Sequence, residues 1–296
     1  MTRPALDTGP GSIVRRLLRA AASSRRGPSD AGAVRIGGLE VTGLSAGSSS
    51  GAAMTKAGRL SLRGRTADGA RVKIVEAHSP AHAEMIASLA SGTLSDVLPP
   101  VLAVEGALVV SAWVERDGTA PEPDAATLAA LLARIHAHDA AEIRRAFDPW
   151  HDHVLPRARR VAATLGATDR LEELLAPAHE AVARATAVLC HADVTPDNVV
   201  PVAGGHRIVD NELLGVGSTP ALDLANLARG LQRDREVVVD AYVAAGGRPI
   251  GADDLVAARA MWLARMLGSQ FVAGRLSDCR ALLDAGTAAR PLPFER

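Results

Sequence analysis

The sequence predicts an α+β protein in two lobes, a small antiparallel β-rich lobe followed by a larger α-helical one. Three observations carry that reading. Strand-like alternation of apolar and polar residues, broken by Gly, fills the first third of the 296-residue chain. A connector containing Pro and Gly, ERDGTAPEPDA from Glu115, comes next, and beyond it apolar residues recur at helical intervals. One short hairpin, NVVPVAGGHRIVDNE from Asn198, interrupts the helices with its turn expected at Gly204-Gly205. The expected divisions are a flexible basic arm over 1–30, a nucleotide-binding lobe over 31–114 and a helical lobe with catalytic loop and acceptor site over 115–296.

Each element follows from its residues. SIVRRLLRAAASSRRGPSD, from Ser12 to Asp30, holds most of the positive excess of the N-terminal part and reads as a short amphipathic or disordered arm. VRIGGLEVTGLSAG and GRLSLRGRTADGARVKIVEA alternate as strands, with ADG as a turn. HAEMIASLASG reads as a helix closed by Gly92, and VLAVEG and ALVVSAWV as two further strands. Helical periodicity then marks AATLAALLARIHAHD, RRVAATLG, LEELLAPAHEAVARAT, DLANLARGLQ, REVVVDAYVAAGG and DDLVAARAMWLARMLGSQFVAG.

Composition narrows the function. Residues are 48% hydrophobic but only 2% aromatic, so the core is built from Ala, Leu and Val. A formal net charge of zero argues against a nucleic-acid partner held through phosphates. No run of 18 apolar residues occurs, and the Arg pair of SSRRGPSD lacks the apolar stretch of an export signal, so neither membrane nor export is expected. Two cysteines, Cys190 and Cys279, suggest no disulfide framework and fit a cytoplasmic setting.

The chemistry concentrates in VLCHADVTPDNVV. The chain has three Asn, all between Asn198 and Asn226, and one of them stands five residues after Asp193. Asn198 opens the hairpin and Asp210 closes it, so the two are expected side by side. That oxygen-only pair suits Mg²⁺ better than zinc. Asp193 could then accept a proton from an attacking hydroxyl, which is the arrangement phosphoryl transfer needs. Lysine supplies a second signal: with 31 Arg and 2 Lys, Lys73 on the strand ARVKIVEA stands out as a compact ammonium for phosphates. Glu84, on the helix that follows, is its expected partner. The loop GLSAGSSSGA could cover phosphates through backbone N–H groups and hydroxyls such as those of Ser48 and Ser49, although such loops are as often plain hairpin tips. The histidine pairs HAH and HDH do not make a metal site, since neighbours on a helix face different ways and no Cys or third ligand joins them.

HADVTPDN followed by IVDNE and PALDLANL resembles the aminoglycoside phosphotransferase (choline kinase-like) family of the protein-kinase-like fold, over about residues 35–245. The resemblance implies ATP and Mg²⁺ as cofactors. It makes Asp193 the catalytic residue, Asn198 and Asp210 the metal ligands, and Lys73 with Glu84 the phosphate-binding pair. Val110, Ala112 and Val114 would lie on the hinge beside adenine. Asp223 and His191 would brace the catalytic loop, and Glu212 would serve magnesium, acceptor or scaffold. The chain departs from the family at Asn211, where an aromatic is usual, and at Gly217-Ser218-Thr219-Pro220, which replaces Gly-Asp-Pro with one extra residue.

Two facts bear on the acceptor. Ala192 stands where regulated protein kinases carry Arg, and only nine residues separate Asp210 from Pro220, too few for a peptide platform. The expected acceptor is therefore a small-molecule hydroxyl, on an antibiotic, an aminoglycoside-like compound or a sugar. The stretch from Gly251 to the C-terminus, with five acidic residues and six Arg, is no lining for a polycation. Antibiotic resistance would follow from the family alone. Two other readings remain: a partner-dependent Ser/Thr kinase of a small precursor peptide, and a nucleotide-binding regulatory pseudokinase.

Overall fold

The computed structural model describes Ile13, Leu17, Leu18, Ala21 and residues 33–46, 59–140, 143, 146–184, 187–217, 219–231 and 235–285. The chain divides into two compact units, Met1–Glu115 and Arg116–Arg296.

The first unit is an antiparallel sheet with one helix against it. Its strands are β1 (Val34–Ile36), β2 (Leu39–Ala46), β3 (Ser61–Thr66), β4 (Arg71–Glu76), β5 (Val101–Glu105) and β6 (Leu108–Ala112), in the order β1-β2-β3-β4-β6-β5. Alternation sends Leu44, Leu62, Val72, Ile74 and Val110 into one buried face. Gly43 takes a positive φ of 59° where β2 bulges between Thr42 and Ser45. Helix α1 (Pro80–Ser91) begins with Pro at its first turn, and the Ser79 hydroxyl accepts from His82 N at 3.1 Å. Its buried stripe, His82, Met85, Ile86 and Leu89, packs on β5 and β6.

The N-terminal arm departs from expectation. Leu17 and Ala21 are buried in the same cluster as Val34, Ile36 and Leu44, with Ile13 and Leu18 packed against them. The four are helical and follow at intervals of four, one and three, so they make one apolar stripe despite the Arg residues interspersed in sequence. A wholly flexible arm is therefore the wrong description of these positions.

The second unit is helical. Asp124 caps α2 (Ala125–His136) by accepting from Thr127 N at 2.8 Å. A π-helical turn, Pro149–Val154, leads into α3 (Leu155–Leu165), which Gly166 closes in the left-handed conformation at φ 68°. Then come α4 (Thr168–Arg184), α5 (Ala221–Leu231), α6 (Arg235–Ala244), α7 (Ala252–Val272) and α8 (Leu276–Ala285). The long α7 packs on α3, α4 and α8 around Trp150, Leu155, Leu171, Leu175, Met261 and Leu267. The last helix was not among the expected elements.

Four short strands precede α5: β7 (Val188–Cys190), β8 (Val199–Val202), β9 (Gly205–Ile208) and β10 (Gly215–Gly217). β8 and β9 pair from Val199↔Ile208 to Val202↔Gly205, so the turn is Ala203-Gly204, one residue earlier than expected. β10 pairs with β7, a contact that three residues reading GVG could not announce. Gly is required there: a Cβ on Gly215 would lie 2.7 Å from the Phe147 carbonyl oxygen, and Val216 N donates to that same oxygen at 2.9 Å.

Candidate active site

The segment leaving β7 runs His191-Ala192-Asp193 and reaches a 3-10 turn at Pro196–Asn198. Ala192 has φ 62°, left-handed backbone that costs a residue with a Cβ about 1–2 kcal/mol. The first turns of α5 hold it there. Asp223 accepts from His191 N at 2.8 Å through Oδ2 and from Ala192 N at 2.7 Å through Oδ1. Asn226 Nδ2 donates to the Ala192 carbonyl at 3.3 Å.

Asp223 is 1% exposed. Burial pushes its carboxyl up, but the hydrogen bonds from the His136 ring and the His191 amide outweigh burial and hold it below the usual carboxylate range. His136 Nε2 stands 3.2 Å from Asp223 Oδ2, and its Nδ1 stands 3.0 Å from the Tyr242 hydroxyl. Burial pushes the Tyr242 phenol up to about 12, so the hydroxyl keeps its proton to donate. The bonding assigns the His136 ring hydrogen to Nε2, facing the carboxylate.

His191 does a second bracing job. Its Nδ1 accepts from Asp193 N at 3.3 Å, which leaves Nε2–H to donate to Asn211 Oδ1 at 3.0 Å. Asn211 Nδ2 in turn donates to the Ile208 carbonyl at 3.1 Å. An acceptor at 211 thus links the segment bearing Asp193 to the residue after Asp210, which accounts physically for the departure from an aromatic. Thr219, in the other departure, donates from Oγ1 to Asp254 Oδ1 at 2.8 Å and accepts from Ala221 N at 3.1 Å, helping to start α5.

Asn198 Nδ2 donates to the Asp193 carbonyl at 2.9 Å, which turns the amide oxygen away as a ligand atom. Val209 N donates to the Asn198 carbonyl at 2.8 Å, so Asp210 leaves the hairpin where Asn198 enters it. Asp210 has φ 61° and, with Ala192, is one of two non-Gly residues with positive φ among the described residues. Both sit in this one site, as strained backbone tends to. The donor set of Asn198 and Asp210 is oxygen only and fits a magnesium ion. Glu212 is half-buried on the 3-10 turn Asn211–Leu213 that follows.

The carboxylate of Asp193 is 36% exposed and meets a residue the sequence reading missed. Arg265, on α7, donates through Nη1 to the Ala192 carbonyl and through Nη2 to Asp193 Oδ1. The two residues lie 72 positions apart, and among 31 Arg nothing local marks this one.

Beneath the loop, His136, Cys190 and Asp223 place ligand-type atoms within 4.8 Å of one another. Each already serves the protein: Cys190 Sγ donates to the Thr219 carbonyl at 3.3 Å, and burial drives its thiol well above the ordinary range. The trio therefore acts as bracing.

The first unit carries the other expected residues. Lys73 is half-buried and faces Arg63 and Ser111 across the ladder. Arg71, on the same face, lies over the Trp113 ring at 4.4 Å and pairs with Glu115 at 2.6 Å. Glu84 is exposed on α1, and among the described residues it makes no ion pair with Lys73. It falls between the buried positions, on the outer stripe with Ala81 and Ser88. β6 is a central strand, so Val110 and Ala112 spend their backbone on the sheet: Val110 pairs with Ile74 and Ala103, and Ala112 N donates to Pro100 O at 2.9 Å. Val114 lies beyond the last ladder pair, so its backbone is outside the sheet. Ser48 and Ser49 lie outside the described residues.

Comparison with known proteins gives the family and the fold. The sequence model of the phosphotransferase enzyme family matches residues 68–261. No curated protein sequence matches the chain. Among solved structures, a putative fructosamine-3-kinase from Thermobifida fusca is similar at 19% identity and a TM-score of 0.58, over 91% of this chain and 97% of its own. A choline/ethanolamine kinase family protein from Mesorhizobium loti is similar at 19% identity and 0.51, over 93% and 98%. A macrolide 2'-phosphotransferase from Brachybacterium faecium gives 19% and 0.51, over 93% and 99%. At such identities these structures establish the protein-kinase-like fold.

Proposed function

Because the chain belongs to the phosphotransferase enzyme family, we propose that it moves the γ-phosphate of ATP to a hydroxyl of a small molecule. The observation that carries this reading is how Asp193 is mounted. Its backbone is fixed on one side by Asp223 through His191 and Ala192, and on the other by Asn198, while its carboxylate stays accessible. That is preorganisation of a group meant to meet a reactant.

In the proposed reaction the acceptor oxygen bonds to the γ-phosphorus, its proton passes to the Asp193 carboxylate, and the bond to the bridging oxygen breaks to release ADP. Asn198 and Asp210 would hold magnesium, which when bound neutralises phosphate charge. Lys73 would meet the phosphates as a point charge, and Val114 would offer its backbone to the adenine. Glu212 would stand by the metal pair as scaffold. A small acceptor is favoured because the interval from Asp210 to Pro220 is taken up by the turn Asn211–Leu213 and by β10, paired to β7. The similar structures carry names that point to fructosamine, choline or ethanolamine, and macrolides as acceptors, all small molecules.

The test is ADP release from Mg-ATP across hydroxylated antibiotics, sugars and short Ser/Thr peptides, with Asp193→Ala as control. Stimulation by a small molecule, lost in the variant, is expected. Stimulation by peptide alone would point instead to a precursor-peptide kinase, and ATP binding without any turnover to a regulatory module.

A further inference from the structure

The contact between Arg265 and Asp193 bears on which acceptor the site takes. Arg265 does not stand alone. Arg157, on α3, crosses α7 one turn further on and donates from Nη2 to the Gly268 carbonyl at 2.9 Å. The two lie close, since a Cβ on residue 268 would come within 2.9 Å of Arg157 Cδ and Nε. Burial first, and then the charges of Arg160 and Arg265, push the half-buried Arg157 below the usual guanidinium range. Both charges that bear on it are positive.

Several other arginines of this unit pair with carboxylates. Arg159 forks onto Glu172 at 2.7 and 3.0 Å, Arg184 meets Asp253, and Arg248 forks onto Asp254. Among the described residues neither Arg157 nor Arg160 pairs with a carboxylate. Arg265, at Asp193, thus has a second guanidinium, Arg157, within charge range of it, and among the described residues no carboxylate pairs with that second one. Arg265 spends two of its five N–H donors on Ala192 and Asp193, so others remain for a ligand.

We propose that Arg265, backed by Arg157, makes the acceptor side of Asp193 selective for a hydroxyl compound that also carries a carboxylate. The inference rests on the phosphotransferase reading and narrows its acceptor to a hydroxy acid or sugar acid. A carboxylate matches the planar guanidinium fork, whereas an ammonium group brought to the same place meets like charge. Arg265 also fixes the Asp193 rotamer, so it is a positioning residue as well.

Two matched acceptor series test this on the full chain: glucuronate, glucose and glucosamine, and glycerate, glycerol and 3-amino-1,2-propanediol. ADP release is measured at several acceptor concentrations, with Mg-ATP saturating. The acid is expected to show a KM at least about tenfold below that of the amine, as one lost like-charge contact of modest size would give. Arg265→Gln should erase most of that ratio, and Arg265→Lys should keep it. Retained ATP binding shows that each variant is folded. A preference for the amine, or an acid preference unchanged in Arg265→Gln, overturns the inference and leaves the phosphotransferase reading intact. Failure of the wild type to bind Mg-ATP or to release ADP overturns that reading, and this inference with it.

Discussion

Replacing Asp223 by Asn tests the bracing of the loop with almost no change of volume. The carboxylate is 1% exposed and accepts from three donors, His136 Nε2, His191 N and Ala192 N. An amide keeps one acceptor oxygen and turns an NH₂ group toward a donor. At least one buried N–H loses its partner, at about 1–3 kcal/mol, and the charge assistance to the others disappears. Taking the carboxylate out of this buried network costs on the order of 3–5 kcal/mol in all, a large share of the 5–15 kcal/mol that stabilises a typical domain. The unit from Arg116 to Arg296 has 181 residues. For that size the loss lowers Tm by roughly 6–20 °C.

Acidity gives the prediction its sign. The folded-state carboxyl lies below its ordinary value, so its contribution is present above the unfolded pKa and is lost as pH falls through the folded one. The Tm gap between wild type and Asp223→Asn should therefore narrow as pH drops below the ordinary carboxylate range. Thermal unfolding followed by circular dichroism at a series of pH values is the assay. A gap under about 2 °C at neutral pH, or one that widens in acid, would refute the reasoning.

Three further outcomes follow. Asp193→Ala should cut turnover by about 10²–10⁴-fold while ATP affinity, measured by calorimetry, changes little; unaltered turnover would remove Asp193 from the reaction. Gly215→Ala drives a methyl against the Phe147 carbonyl and should cost about 1–3 kcal/mol in urea unfolding, with no compensating gain. Leu17→Ala, at a fully buried position, should cost about 2–5 kcal/mol, and a variant as stable as wild type would show that the arm does not cover the sheet.

How far the sequence could be read depends on how local each signal was. Asn198 and Asp210 sit at the two open ends of a single hairpin, so alternation and one Gly-rich turn were enough to set them opposite each other. Lys73 stands out through composition alone, because lysine is so scarce. For Glu84, a spacing of eleven residues from Lys73 says nothing about which helix face is buried, and the apolar stripe from His82 to Leu89 leaves it on the exposed side. The arm misled for a related reason: a run of Arg drew the eye from the stripe of Ile13, Leu17, Leu18 and Ala21. Arg265 was out of reach, since its partner lies 72 residues away and only the packing of α7 brings them together. β10 was too short for any pattern to reveal.

The two cysteines have a practical consequence. Cys190 lies in the strand that leads into the segment bearing Asp193, and Cys279 in the last helix, where its thiol donates to the Leu267 carbonyl at 3.6 Å. Both are buried, and burial raises both thiols. Only the thiolate reacts with a disulfide reagent, so neither can be labelled until its surroundings open. The native chain thus comes with two clocks already installed. One times the breathing of the strand behind Asp193 and the other that of the C-terminal helices, and comparing labelling rates with and without Mg-ATP or acceptor would show which region each ligand quiets.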